Sequence, residues 1–476
     1  IDSDYVFATR MSGAGEIIVS RGTTILTADN AHSGQTHVNG GMLIINGDQS
    51  AATGRVKVMA GGALGGRGVI GGSVDGFGRI APGDLGAAPG TLTINGDLLT
   101  NFVTNFDFNF GQANVVGGAF NDLIEVGGDL TLDGTLNVTV SPGGSFDPGV
   151  YRVINYGGTL TDNGLAVDPG YFVQTSVANQ VNLVNTTGLT MRFWDGAAGG
   201  KNDGAIAGGD GLWQNSGGND NWTEFDGSAN APFTDEAFAV FSGLAGTVTV
   251  DASLGAVTAS GMQFASDGYV IDGDSIVLTG VQSVIRVGDG TAAGAGYTAT
   301  IDNAIAGASQ LVKSDLGTLV LSGANSYAGG TAINGGTLRI SADANLGDVA
   351  GGLSFDGGTL HSTADISSDR AVDLVSTGTL LTDAGTALTM NGAFSGAGSL
   401  VKTGAGTLAL RGSSSFDGNT TVNGGQLSIT DGGGVSNYRG YIGAAADQTG
   451  EVVVSGPGSS WTNANHIYVG HSGTGL

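Results

Sequence analysis

The sequence predicts an all-β protein built as a parallel β-helix (β-solenoid), in which short strands stack coil upon coil. Three observations support this fold class. Glycine supplies 90 of the 476 residues, apolar residues alternate at a period of two, and one pattern of strands and turns returns along the chain. Hairpins and a propeller stay open as alternatives, but the glycine corners recur without long connections and without one blade-sized period of roughly 40–50 residues.

The glycine content excludes several other fold classes. Collagen needs glycine at every third position and abundant proline, whereas this chain has only 7 proline residues. Each glycine inside a helix costs about 1 kcal/mol relative to alanine, so a helical protein would not tolerate this density. A disordered chain is excluded because 40% of the residues are hydrophobic.

The repeated pattern is the strongest evidence for a solenoid. Residues 300–345 align without gaps to residues 389–434, and a third copy around residues 24–45 has the same punctuation. Within each copy, inward and outward positions alternate in strands of three to five residues. A coil of roughly 20–25 residues buries too little apolar surface to order its own backbone, so coils are stable only when stacked. Stacking at about 4.8 Å per coil predicts a rod on the order of 100 Å long.

The glycines mark the same corner in all three copies. Each copy has Asn-Gly-Gly before its second strand, which gives the pairs Gly40-Gly41, Gly335-Gly336 and Gly424-Gly425. Glycine adopts positive φ without steric cost. We therefore expect a corner with positive φ at these pairs.

Two stretches depart from the repeat. Phe106, Phe108 and Phe110 share one face of a strand, which predicts an interior aromatic stack in preference to an exposed sugar-binding stripe. Residues 191–241 contain Trp194, Trp213 and Trp222 with several phenylalanines and polar loops. This stretch is interpreted as a wider coil with its own aromatic core, and a protruding binding subdomain is the alternative.

Charge and composition limit the partners. The formal net charge of −26 argues against nucleic acid and anionic membranes. Many Asp residues flank Gly, which is typical of turns, and calcium binding at these corners is a weaker reading. No cysteine is present, which fits passage through an oxidising compartment. The start, Ile1-Asp2-Ser3, has no secretion signal, so we expect either a removed signal or an internal fragment.

The sequence gives little support for a catalytic site or a metal-binding site. The histidines are scattered, and the segment Gly273-Asp274-Ser275-Ile276 resembles an esterase motif but lacks a matching Asp-x-x-His downstream. We therefore predict no enzyme activity, no catalytic residue, no metal and no cofactor, and the ligand-binding residues are unknown. The five histidines are His32, His37, His361, His466 and His471.

The repeats resemble the passenger-associated repeats of bacterial type V autotransporters. The match is close over Leu311-Val312-Lys313, Gly317-Thr318-Leu319 and Asn334-Gly335-Gly336-Thr337-Leu338. Ser455-Gly456-Pro457-Gly458-Ser459-Ser460-Trp461-Thr462 resembles the start of another repeat class that would continue beyond Leu476. Together the similar segments touch most of the chain.

This resemblance implies a right-handed parallel β-helix on the bacterial cell surface, exported through the outer membrane by a C-terminal β-barrel outside this fragment. It implies adhesion to a host cell or extracellular-matrix protein, a role in virulence, and possible self-association. A passive stalk and, more remotely, a β-helix enzyme acting on polysaccharide stay open as alternatives. We predict β-helix over 1–190, an aromatic loop-rich segment over 191–245, β-helix over 246–430, and the start of a further repeat over 431–476.

Overall fold

The computed structural model describes residues 4–83, 88–175 and 179–476, and the segment Ile1-Asp2-Ser3 lies outside them. The chain divides into two compact units, Ile1–Leu189 and Thr190–Leu476. Both are parallel β-solenoids, which confirms the predicted fold class. Helical structure in the described residues is limited to short 3-10 turns at Ala252–Leu254, Ala292–Gly296, Asp343–Leu346 and Val349–Gly351.

The first unit consists of three strand-bearing faces. Its first face contains Tyr5–Phe7, Thr23–Leu26, Gly41–Ile45, Gly62–Gly66, Arg79–Pro82 and Asn105–Phe110. Its second face contains Ile17–Val19, Thr36–Val38, Val56–Val58, Val74–Gly76, Leu98–Thr100, Leu130–Val140 and Leu160–Ala166. The long strand Leu130–Val140 pairs with both faces. The third face contains Ser12–Gly13, Ala31–His32, Asp48–Gln49, Val69–Ile70, Thr91–Ile94, Leu123–Val126, Gly149–Tyr156, Tyr171–Gln174 and Gln180–Asn185.

A ladder of inward residues runs through the first face because successive strands pair in register. The side chains are buried at every rung from the second coil onward. The rungs are Tyr5, Thr24, Leu43, Leu64, Ile80, Phe106 and Leu136. Phe108 and Phe110 are also buried, so the predicted interior aromatic stack is confirmed and no exposed stripe is formed.

The second unit has the same three-faced plan. Its first face contains Met191–Trp194, Trp222–Thr223, Asn230–Ala231, Phe238–Phe241, Gly261–Phe264, Gln282–Val287, Gln310–Ser314, Thr331–Ile333, Leu353–Phe355, Val372–Leu374, Phe394–Ser395, Ser413–Ser415, Gly434–Asn437 and Ser460–Asn463. Its second face contains Gly211–Trp213, Thr247–Val250, Val270–Gly273, Thr298–Ile301, Thr318–Leu321, Thr337–Ile340, Thr359–Ser362, Gly378–Thr382, Leu400–Thr403, Thr420–Val422, Gly440–Ile442 and Ile467–Val469. Its third face contains Val257–Ala259, Ile276–Leu278, Ile305–Gly307, Ile366–Ser368, Ala387–Met390, Thr407–Leu410, Gly425–Ile429, Thr449–Val454 and Thr474–Gly475.

The repeated glycine corners have the predicted backbone geometry. The second glycine of each pair has positive φ: Gly41 at 68°, Gly336 at 61° and Gly425 at 63°. A Cβ added there would lie 2.4, 2.4 or 2.2 Å from the carbonyl oxygen of a glycine in the preceding coil. Only glycine satisfies both constraints, because any side chain would meet the stacked backbone.

The 89-residue repeat is a corner unit, and it does not always occupy the same face. In the copy at 300–345, the strand Gln310–Ser314 lies on the first face and Thr318–Leu321 on the second. In the copy at 389–434, the matching strands Leu400–Thr403 and Thr407–Leu410 lie on the second and third faces. The offset of 89 residues therefore spans several coils plus one further face. The same repeat therefore builds two different corners of the second unit.

Antiparallel pairing occurs at one end of each unit. In the first unit Gly149–Tyr156 and Tyr171–Gln174 pair antiparallel with Gln180–Asn185. In the second unit Trp222–Thr223 pairs antiparallel with Met191–Trp194 and with Asn230–Ala231. A parallel coil stack ends in unpaired backbone and open core, so an antiparallel hairpin with large side chains closes the stack.

Candidate functional site

The corner aspartates hold successive coils together. The Asp97 carboxylate accepts a hydrogen bond from the Asp129 backbone N–H at 2.9 Å, and Asp129 in turn accepts from the Thr159 N–H at 2.7 Å. The hydrogen bonds from the Thr159 backbone N–H and hydroxyl lower the pKa of Asp129. The same arrangement recurs where Asp210 accepts from Thr247 and Asp267 from Thr298. Acidic residues therefore serve as links between coils, which accounts physically for part of the negative charge.

Two buried lysines perform a related function at the repeated corner. Lys313 Nζ donates to the backbone carbonyls of Ser314, Asp315 and Gly335 at 2.8, 3.1 and 3.1 Å. Gly335 belongs to the next coil, so one ammonium group links two stacked corners. Lys402 repeats this geometry on Thr403, Gly404 and Gly424 at 2.6, 2.9 and 3.0 Å.

Burial changes the acid–base properties of both lysines. Lys313 occupies an inward rung between Ile285 and Ile333 and is 0% exposed. Burial lowers its pKa to about 7, against the opposing effect of nearby Asp315, and lowers the pKa of Lys402 to about 8. At the corresponding corner of the first unit, Val19 pairs with Val38 and is also 0% exposed. The first unit therefore carries an apolar residue at this rung, in a corner with one residue fewer before the following glycine.

The aromatic segment of residues 191–241 forms a core. Trp194, Trp213 and Trp222 are each 0–1% exposed. The Trp222 ring centroid lies 5.2 Å from Trp194, 5.0 Å from Trp213 and 4.6 Å from Phe233. The structure favours the aromatic-core interpretation, since these tryptophans offer no ring face to a ligand. Phe225 is the exception, with 77% of its surface exposed on a loop.

Neither Asp129 nor Asp122 has the properties of a general acid or base that acts on a substrate. The Asp97 and Asp129 carboxylates lie on adjacent coils, but the lowered pKa of Asp129 is opposite to what a general acid requires. Burial raises the pKa of Asp122 to about 6. That carboxyl group is 0% exposed and accepts hydrogen bonds from the Gly90 and Asn109 backbone N–H groups, so it is inaccessible to substrate.

The esterase-like segment serves a structural purpose. Gly273 ends a strand with φ 89°, and Ile276 begins the next strand. The Asp274 carboxylate accepts the Ala252 backbone N–H at 2.9 Å. The segment is therefore a corner between two strands, with its aspartate acting as a cap.

The histidines lie in separate environments. His32 is buried, its Nε2 is 3.2 Å from the Thr36 hydroxyl, and burial lowers its pKa. His361 Nε2 lies 2.8 Å from an Asp383 carboxylate oxygen. Within residues 4–83, 88–175 and 179–476, no group of three or more His, Asp or Glu side chains is arranged to hold a metal ion. A helix long and apolar enough to cross a membrane is likewise absent from those residues.

The outer surface of the second face carries a ladder of half-buried threonines. Register pairing aligns one outward position across successive coils. We call this row the threonine track: Thr298, Thr318, Thr337, Thr359, Thr379 and, after Val401, Thr421. Its rungs are small and uncharged, with Val401 as the one rung that lacks a hydroxyl.

Two tyrosines replace threonine at the end of this row. Thr421 pairs with Tyr441, and Tyr441 pairs with Tyr468. The two rings stack with centroids 5.0 Å apart and an interplanar angle of 8°. His471 lies edge-on to both rings at 5.7 and 5.6 Å. The track therefore ends at a step in height between Thr421 and Tyr441.

A guanidinium group adjoins this step. Arg439 lies over the Tyr438 ring at 4.7 Å and hydrogen-bonds Tyr441, a contact that raises the pKa of the guanidinium. Its Nε is enclosed without a hydrogen-bond partner. None of the ion pairs among the described residues involves Arg439. We call Tyr438, Arg439, Tyr441, His466, Tyr468 and His471 the aromatic–basic patch.

Sequence reasoning did not single out the aromatic–basic patch. Three of the ten tyrosines fall between residues 438 and 468, and this clustering is the signal that was available. The patch emerges only when the coil register aligns Tyr441 with Tyr468, which are 27 residues apart. Variable coil lengths hide such alignments from a single sequence.

Comparison with known proteins adds evidence of a different kind. The family model described as passenger-associated-transport-repeat matches residues 21–45, 311–340 and 400–429, the three copies of the corner unit. Over 443 residues the chain is 54% identical to a protein named adhesin BmaC autotransporter, from Brucella suis biovar 1 (strain 1330). The match covers 90% of this chain and 13% of that protein. The chain therefore spans a small part of the length of this relative.

Proposed function

Since the chain is a passenger-repeat segment of an autotransporter, adhesin-like in sequence, we propose that it lies on the bacterial cell surface and contributes to adhesion. The 54% identity to a segment of a protein named an adhesin carries this proposal. Export through the outer membrane follows from the autotransporter class. The proposed partner is a protein or polysaccharide of a host cell surface or extracellular matrix.

The solenoid suits this role physically. Coils are held together by backbone pairing throughout, with corner aspartates and the buried Lys313 and Lys402 adding links at particular coils, so the lateral faces are rigid. Rigid lateral rows, such as the threonine track, present chemical groups without the entropic cost of ordering a loop on binding.

A binding experiment tests the proposal. The chain is displayed on non-adherent bacteria through a carrier, and attachment to cultured epithelial cells and to immobilised matrix proteins is measured against the carrier alone. We expect saturable attachment that the purified chain competes away. Attachment equal to that of the carrier would favour a passive stalk that holds some other segment away from the surface.

We further propose that the segment is not an enzyme. Supporting this, the carboxyl group of Asp122, which has a raised pKa, is enclosed, and the carboxylates of Asp97 and Asp129 are engaged in corner hydrogen bonds. Incubation with polysaccharides tests the point by measuring new reducing ends and the absorbance of unsaturated uronates. Turnover that scales with chain concentration would contradict it.

A further inference from the structure

The step at the end of the threonine track has the features of a small carbohydrate subsite. Tyr468 covers one face of the Tyr441 ring, so the opposite face is turned toward the rung of Thr421. Because a threonine side chain is much shorter than a tyrosine, the outer part of that ring face rises above the track. An aromatic face beside the threonine rung of Thr421 matches a sugar ring, which has an apolar C–H face and hydroxyl edges.

The charges beside the step select among sugars. Arg439 forms no ion pair among the described residues, and its Nη2 donates to the Tyr438 hydroxyl at 3.4 Å, in a chain whose net charge is −26. A guanidinium binds carboxylates through two parallel hydrogen bonds. The neighbouring imidazoles of His466 and His471 add hydrogen-bonding groups, and no carboxylate belongs to the aromatic–basic patch. This composition favours a sugar with one carboxylate over a neutral sugar.

The overall charge limits the size of the ligand. A long, densely charged polyanion would be repelled by the surrounding acidic surface. A single carboxylate at Arg439 would feel little of this repulsion, because salt at physiological concentration screens charges that are more than about 8 Å away. We propose that the step between Thr421 and Tyr441 binds a uronate residue of an acidic, unsulfated polysaccharide, with its ring on Tyr441 and its carboxylate on Arg439. The biological meaning of this subsite depends on the proposed adhesive function, but the binding itself does not.

The test compares two tetrasaccharides that share N-acetylglucosamine. A hyaluronan tetrasaccharide carries glucuronate, and chitotetraose is its neutral counterpart. Saturation-transfer NMR on the intact chain measures both affinities. We expect binding of the hyaluronan fragment with a Kd on the order of 1 mM, typical of one shallow subsite, and at least tenfold weaker binding of chitotetraose.

Three variants locate the site. Tyr441→Thr continues the threonine track and removes the step, and Arg439→Gln removes the charge, so each should weaken hyaluronan binding about tenfold. Arg339→Gln is the matched control, since Arg339 is an exposed arginine on the same face and should leave binding unchanged. Circular dichroism verifies that each variant is folded.

Each outcome is decisive. Equal binding of both sugars, absence of binding, or equal loss in the Arg339→Gln control overturns the subsite. Attachment to cells without hyaluronan binding refutes the subsite alone. Hyaluronan binding by a chain that fails to attach to cells or matrix refutes the adhesive function and leaves the subsite standing.

Discussion

Replacing Lys313 by Met tests the account of the repeated corner most directly. The lysine occupies an inward rung with its Nζ held by three backbone carbonyls. Methionine has a similar length and lacks the charge, and Val19 shows that the equivalent rung accepts an apolar residue. The variant should therefore fold, and the informative quantity is how its stability depends on pH.

The pKa of the lysine determines the expected magnitude. Burial lowers the pKa of Lys313 from 10.5 to about 7. Between these values the unfolded chain holds one proton more than the folded chain, so the free energy of unfolding rises with pH by about 1.4 kcal/mol per pH unit. The wild-type chain should gain about 4 kcal/mol relative to Lys313→Met between pH 7 and pH 10. Below pH 7 the difference should be constant.

Urea denaturation followed by circular dichroism measures this difference at intervals from pH 6 to pH 10. Lys57→Met is the control for removing a lysine from a half-buried outward position, on the strand Val56–Val58. A difference between wild type and Lys313→Met that is independent of pH would mean that Lys313 keeps its proton throughout. The three carbonyls would then outweigh the cost of burial, and the reasoning would be refuted.

Three other substitutions probe the second unit. Trp222→Ala removes a fully buried ring from the aromatic core and should lower the free energy of unfolding by about 3–5 kcal/mol. Phe225→Ala removes an exposed ring and should change the free energy of unfolding by less than about 0.5 kcal/mol. Denaturation followed by tryptophan fluorescence measures both. Glu236 has a left-handed backbone conformation, with φ 63°, that is strained for a residue with a side chain. Glu236→Gly removes this strain and should raise the free energy of unfolding by about 0.5–1 kcal/mol in the same assay. A decrease would show that the backbone at Glu236 is not strained.

The corners could be predicted from the sequence because their constraints are local. Asn-Gly-Gly at residues 39–41, 334–336 and 423–425 indicates a glycine with positive φ. That glycine is the second of each pair, where the backbone of the preceding coil also approaches closely. Alternation of apolar residues likewise reports which side chains face the core, as with Phe106, Phe108 and Phe110. Features of this kind can be predicted because they depend on residues that are close together in the sequence.

Properties that depend on coil register could not be predicted. Along the first face of the first unit, the spacing between paired rungs varies from 16 residues between Leu64 and Ile80 to 30 residues between Phe106 and Leu136. Such variation hides which distant residues become neighbours. The pairing of Tyr441 with Tyr468, the link from Lys313 to Gly335, and the caps made by antiparallel strands all required the structure.

The change of face between the two copies of the 89-residue unit has a consequence for function. Lys313 and Lys402 build the same corner chemistry, yet one lies on the first face and the other on the second. Stability in this fold therefore depends on corners and inward rungs, which perform the same structural role on either face. Outward rungs such as Thr421 and Tyr441 are relieved of that constraint, because a side chain pointing into solvent neither packs the core nor closes a corner. Binding specificity can consequently change along the lateral rows while the repeated corners keep the solenoid folded.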